Sequence, residues 1–309
     1  MVHWQPWAAD FVVRDSASLS ELEVRPRIAD GSLIRVIRGV YLPAAIAASA
    51  GPRAAHRRLA YAHELREPGT HIFSHPTAAA IWRLPRLGAW PTSAHVTIGA
   101  SSGGRSSGAL VRHPRDGVDP DSTDGLTVTS LGQTVIDIAS ADGFTAGLLA
   151  ADAAIGSLSL PRSTLAELLP PTGARGRARV RAVVEFADGR SGSPGESLSR
   201  APMIERQLPS PELQFRIDDR EGTMFVDFCW PELGVVGEFD GVSKYVREEF
   251  AGSRTPAEVV VDEKWREDRI RLLGWRVVRW GWQEARDPRL LLARLADAGV
   301  TPRPRARHL

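Results

Sequence analysis

Three carboxylates fall within one short stretch, Phe225-Val-Asp227-Phe-Cys-Trp-Pro-Glu-Leu-Gly-Val-Val-Gly-Glu238-Phe-Asp240-Gly241. Pro231 presets φ and Gly234 accepts a positive φ, so Trp230 to Gly234 reads as a tight turn between two strands. A turn centred between Glu232 and Leu233 sets Asp227 opposite Glu238. Asp240, two residues on, then shares their face. Like charges grouped in this way are costly to leave unpaired. A hard divalent cation relieves the cost, and carboxylate oxygens are the donors it takes. Each acid alone is an ordinary strand-end residue; as a set placed by one hairpin they point to a metal site.

The elements that must position these acids follow from periodicity and breakers. Gly189 to Gly195 is a Gly/Ser/Pro break, after which residues 195–207 read as a helix carrying Glu196. Strands 212–217, 223–228 and 234–240 come next, then helix 260–273 and strand 275–280. The order is αβββαβ, expected to make a mixed sheet. On helix 260–273, Val261, Trp265 and Leu272 share a face that would pack on the sheet, and Lys264, Asp268 and Arg271 share another. Only two lysines occur among 39 basic residues, Lys244 and Lys264, both close to the acidic hairpin. A compact, titratable ammonium is something Arg does not supply.

This half resembles the PD-(D/E)XK nuclease superfamily, and within it the DUF559 group related to very-short-patch-repair endonucleases. The resemblance rests on Glu196, Asp227, Glu238-Phe-Asp240-Gly241, Val261-Asp-Glu-Lys264-Trp-Arg-Glu-Asp268-Arg-Ile-Arg271 and Gly274-Trp-Arg-Val-Val-Arg279-Trp280, and spans about residues 190–298. It implies a restriction-endonuclease-like core. It also implies a Mg²⁺- or Mn²⁺-dependent DNA endonuclease, with Asp227 and Glu238 as metal ligands and Glu196 as a supporting acid. The superfamily pattern ends Glu-x-Lys, whereas here Glu238-Phe239-Asp240 ends in an acid. Three sources for the missing function stay open: Lys264 from the helix, which is favoured, Lys244 from the loop, or Asp240 as a further ligand with no lysine needed. Lys244 and Arg271 are further candidates for nucleic-acid contact.

The first half reads as an α+β region. A short helix ends near Gly31, and Leu33 to Pro43 is a β-ribbon bent at Gly39 with Arg35 and Arg38 along it. Helix and ribbon resemble the winged helix of AbiEi antitoxins, in a degenerate form interrupted by Pro26. That resemblance implies a DNA-binding regulator, with a toxin–antitoxin or defence-system protein as a possible partner, and gives an alternative to the nuclease reading. The organisation expected is a winged-helix-like unit at 1–50, an α+β region at 51–170, a basic helix and linker at 171–192, the nuclease-like domain at 193–298 and a basic tail at 299–309. Short strands at His95–Ile98 and Ala109–His113 are read as joined by a Gly/Ser-rich hairpin loop. His75, before an Ala-rich helix, is read as a capping or packing residue. With a net charge of +2, global charge says little about partners; one cysteine excludes an internal disulfide. No apolar run approaches a membrane span and the N-terminus lacks a signal-peptide pattern, so a cytoplasmic protein without membrane contact is expected.

Overall fold

The computed structural model describes residues 6–13, 21–102, 106, 109–241 and 256–302. It is a mixed α/β structure that divides into two compact units, residues 1–150 with 160–181 and residues 151–159 with 182–309. Among the described residues, no helix is long and apolar enough to cross a membrane.

The first unit opens with β1 (Val12–Val13), α1 (Glu21–Ala29), β2 (Leu33–Ile37), β3 (Val40–Pro43), α2 (Ala44–Ala48) and α3 (Pro52–Arg66). The strands make an antiparallel sheet in the order β1-β3-β2. Gly39 turns the ribbon with φ 85°, a conformation that costs a side-chain-bearing residue. Helix α1 runs through Pro26 instead of stopping there. The proline forfeits one helical hydrogen bond, and burial of Val24 against Leu33 and Tyr41 offsets that loss. Arg35 and Arg38 are exposed on the ribbon.

Next come β4 (Ile72–Phe73), α4 (His75–Ile81), β5 (Ala94–Ile98), β6 (Leu110–Pro114), β7 (Pro120–Thr123), β8 (Leu126–Thr129), α5 (Leu131–Asp142), α6 (Phe144–Ser157), α7 (Arg162–Glu167) and α8 (Arg177–Phe186). The sheet order is β6-β5-β4-β8-β7. Strands β5 and β6 pair in parallel, with His95 beside Val111 and Thr97 beside His113, which corrects the expected hairpin. A connection of this length lets the chain travel back and re-enter in the same direction, as a tight turn cannot.

The second unit contains α9 (Pro194–Glu205), β9 (Glu212–Asp219), β10 (Gly222–Trp230), β11 (Val235–Phe239), α10 (Pro256–Leu272), β12 (Arg276–Trp280), α11 (Trp282–Arg286) and α12 (Pro288–Asp297). The sheet order is β12-β11-β10-β9, antiparallel except for the parallel pair β11–β12. The hairpin pairs Phe228 with Gly237 and Trp230 with Val235, in the register expected from the turn residues. A 3-10 turn at Pro231–Leu233 and Gly234 at φ 61° close it. One face packs Ile217, Met224, Val226, Cys229 and Val236 under Ile270 of α10. The other puts Phe228 against Trp280, whose indole N–H donates to Ser199 of α9 at 2.8 Å.

Helix α9 begins on a Ser193 cap that accepts from Glu196 N–H at 3.2 Å. Its second residue, Gly195, lies so close to β11 that an added Cβ would stand 1.9 Å from the Phe239 ring. Gly195→Ala is expected to lower stability by about 1–3 kcal/mol, the usual overpacking cost, and a thermal melt reads it. An unchanged melting temperature would mean that Phe239 is free to move aside.

Candidate active site

Regular alternation would place Val226 and Phe228 on one face of β10. They lie on opposite faces, and the alternation breaks at Asp227. The neighbouring strand breaks at the same level. Pairs Val226–Phe215 and Phe228–Leu213 flank Gln214, which has φ 50°. Such an irregularity re-aims a side chain, here that of Asp227. Its Oδ2 accepts from the Phe239 N–H at 2.8 Å and its Oδ1 from Gln214 Nε2 at 3.3 Å. The same Gln214 amide donates to Glu196 Oε2 at 3.2 Å, and the Gly192 N–H donates to that oxygen at 2.7 Å. One amide thus bridges the two acids. Burial, and after it the charge of Glu196, pushes Asp227 up to about 6.

Glu238 takes a different set of partners. It is 5% exposed, and burial raises its pKa. Arg266 Nη1 of α10 stands 2.6 Å from its Oε1, while Arg279 Nε of β12 is 3.9 Å from its Oε2. Oε1 has no aligned hydrogen bond, so that contact is an ion pair by proximity. Arg279 Nη2 also reaches Asp240 at 3.7 Å, and Arg279 pairs with Glu263 and Glu267 of α10.

The three hairpin acids therefore divide into two sets, where one shared face was expected. Asp227 joins Glu196 through Gln214, and Glu238 joins Asp240 through arginine. The broken alternation at Asp227 is the cause. Among the described residues, no three His, Cys, Asp or Glu side chains are gathered around a point that a metal ion could occupy. The donors nevertheless suit a hard cation. They are all carboxylate oxygens, burial and then the charge of Glu196 hold Asp227 above the ordinary carboxylate range, and one buried oxygen lacks an aligned donor.

Helix α10 is turned differently from the expectation. Val261, Trp265 and Leu272 are 52%, 67% and 86% exposed, so the apolar stripe does not pack on the sheet. Glu263, Arg266, Glu267 and Ile270, spaced three and four apart, face it instead. The buried carboxylate of Glu238 and the guanidinium of Arg279 both need partners, and this stripe supplies them. Lys264, off that stripe, is exposed, and Arg266 holds the cationic place beside Glu238. Arg271 is more than half exposed and pairs with Glu267 at 2.5 Å. Lys244 lies outside the described residues.

Two uncharacterized proteins of Mycobacterium tuberculosis, from strains CDC 1551 / Oshkosh and ATCC 25618 / H37Rv, are each 33% identical to this chain over 190 residues, 60% of the chain and 67% of their own length. This chain belongs to their family. No family model matches it.

In this family member, sequence reasoning missed Gln214, Arg266 and Arg279. Gln214 has no signal short of the pairing register that lines it up with Asp227. Arg279 was readable as the β12 residue level with Glu238 once the strand order was drawn. A second polar cluster, in the first unit, was also missed. His75 stacks on His113 with ring centres 3.5 Å apart, and His113 Nε2 lies 2.9 Å from His95 Nδ1. Asp137, fully buried on α5, has Oδ2 3.6 Å from His75 Nδ1 and Oδ1 2.7 Å from Arg115. Burial, then the neighbouring histidine and arginine charges, drives His75 down to about 2 and His95 to about 4. His75, with φ 53°, is thus a packing residue at the centre of a partly buried polar network, while Ser74 takes the N-cap position.

Proposed function

We propose that the second unit is a metal-dependent DNA endonuclease core of the PD-(D/E)XK type, close to the DUF559 group. The observation that carries this reading is the bridged pair Glu196–Gln214–Asp227 beside buried Glu238, set at the inner end of a hairpin in αβββαβ order. Asp227 and Glu238 are the residues that would hold Mg²⁺ or Mn²⁺. A bound ion of that kind supplies Lewis-acid charge for phosphodiester hydrolysis. Gln214 orients both Asp227 and Glu196. Arg266 and Arg279 bring positive charge for the phosphate, in the role for which a lysine was favoured above. The test is incubation of the purified chain with Mg²⁺ or Mn²⁺ and a panel of plasmid, mismatched, branched and single-stranded DNA. Metal-dependent nicking is expected; no cleavage of any substrate with either ion would sink the proposal.

A second reading concerns the first unit. A helix followed by a ribbon exposing Arg35 and Arg38 suits contact with DNA phosphates, in the manner of a winged helix. The chain would then be a DNA-binding regulator of the AbiEi kind, with a toxin–antitoxin or defence partner. Tight binding to its own promoter without cleavage favours this reading.

A further inference from the structure

We propose that Arg266 couples cation binding to phosphate binding at this site, holding Glu238 away from a metal ion until a phosphodiester draws the guanidinium off. The inference rests on the nuclease reading of the site and adds its regulation.

Among the described residues the four acids are not gathered around one point, and the contacts of Glu238 show what holds its carboxylate instead. Its carboxylate is buried, so a cation reaching it finds Arg266 already 2.6 Å away. A divalent ion at the same oxygen would meet the guanidinium's charge at close range, where little water screens it. The two cations therefore compete for one carboxylate. Arg279 is less free to respond. It is shared among Glu238, Asp240, Glu263 and Glu267. Arg266 has a side chain 35% exposed, and its described contacts are Glu238 and the Phe225 carbonyl. Its exposed edge is open to an incoming anion.

A phosphodiester oxygen pair is the anion that a guanidinium fork fits best. Once Arg266 turns to it, Glu238 is left buried without that cation, across the hairpin from Asp227. A divalent ion then neutralises both. Phosphate and metal binding are thus mutually favourable, and by linkage each raises the other's affinity by the same factor.

The test uses the full chain, Ca²⁺ as the probe ion, and a short fluorescent DNA duplex. Calorimetry gives the Ca²⁺ affinity without DNA, and fluorescence anisotropy gives the duplex affinity with and without Ca²⁺. For the natural chain, Ca²⁺ is expected to tighten duplex binding about 10-fold, within the usual range of coupling between sites. Arg266→Met should bind Ca²⁺ about 10-fold more tightly without DNA and lose most of the Ca²⁺ effect on duplex binding. Arg266→Lys, which keeps the charge but not the fork, should fall between the two. Unchanged Ca²⁺ affinity and unchanged coupling in Arg266→Met would overturn the coupling alone. Unchanged Ca²⁺ affinity in Asp227→Asn would instead remove the site reading beneath it.

Discussion

Asp227→Asn is expected to lower metal-dependent cleavage by at least about 100-fold, the scale seen when one charge-stabilising group is lost from an active site, while making the folded chain more stable. The amide keeps much of the shape of the carboxylate. Its oxygen can still accept from the Phe239 N–H, so the β10–β11 end is preserved. What disappears is a half-buried negative charge held beside Glu196. With its pKa pushed up to about 6, Asp227 binds more protons in the folded state than in the unfolded state between the ordinary carboxylate range and that value. Stability therefore falls as pH rises through that window and stays lowered above it. Removing the charge should return on the order of 2 kcal/mol at neutral pH, after allowing for partial exposure. Urea melts and a plasmid-nicking assay on the same preparation read both effects. Loss of activity together with gained stability is the mark of a residue kept for function at a cost in folding. A variant that cleaves at the natural rate would remove Asp227 from the site. Lys264→Ala serves as the comparison and should leave cleavage close to unchanged.

Acid should act in the opposite direction on the first unit. His75, His95 and His113 are held neutral by burial and then by neighbouring positive charge, His113 on the other two and Arg115 on His75 and His113, with His75 at about 2 and His95 at about 4. In the unfolded chain each takes up a proton near the ordinary histidine value. Below that value the unfolded state binds more protons, so stability drops as pH falls from about 6.5 toward these depressed values. By pH 4.5, His75 alone accounts for a loss on the order of 3 kcal/mol. Buried Asp137, whose pKa burial raises, opposes part of this loss at the acid end. Urea unfolding followed from pH 7.5 to 4.5 should show the midpoint moving steadily down. His75→Phe, which stacks but does not titrate, should flatten that slope. A His75→Phe slope equal to that of the natural chain would show that the cluster opens to water before it must be charged.

The hairpin was legible in the sequence because its turn is written in two residues, Pro231 and Gly234, and the turn fixes the register. The αβββαβ order was legible for a similar reason: Gly and Pro breaks separate each periodic run. What escaped was anything depending on a local departure from period. No residue type announces that Gln214 takes a positive φ, and with it the re-aiming of Asp227 was hidden. The face of α10 was misread because Val261, Trp265 and Leu272 are the apolar choice by composition. Buried Glu238 and its half-buried neighbour Arg279 decided the packing, and those become visible only when β11 and β12 are set side by side. The β5–β6 connection failed because a Gly/Ser loop reads alike whether the next strand runs back or forward. The histidine cluster gathers residues from β5, β6, α4 and α5, far apart in the chain, and no short motif marks it.

Helix α10 has one more property. Among the described residues, its contacts with the sheet are Ile270 and a set of charges: Arg266 on Glu238, Arg269 on Asp219 at 2.7 Å, and Glu263 and Glu267 on Arg279. Apolar contact between helix and sheet is indifferent to salt, whereas ion pairs with partly exposed members weaken as mobile ions screen them. The grip of α10 is thus set in part by ionic strength, unlike that of α9, where Gly195 sits flush against Phe239. The concentration of salt around the molecule becomes a variable of its architecture, acting on the one helix that carries both the guard of Glu238 and an outward row of Val261, Trp265 and Leu272.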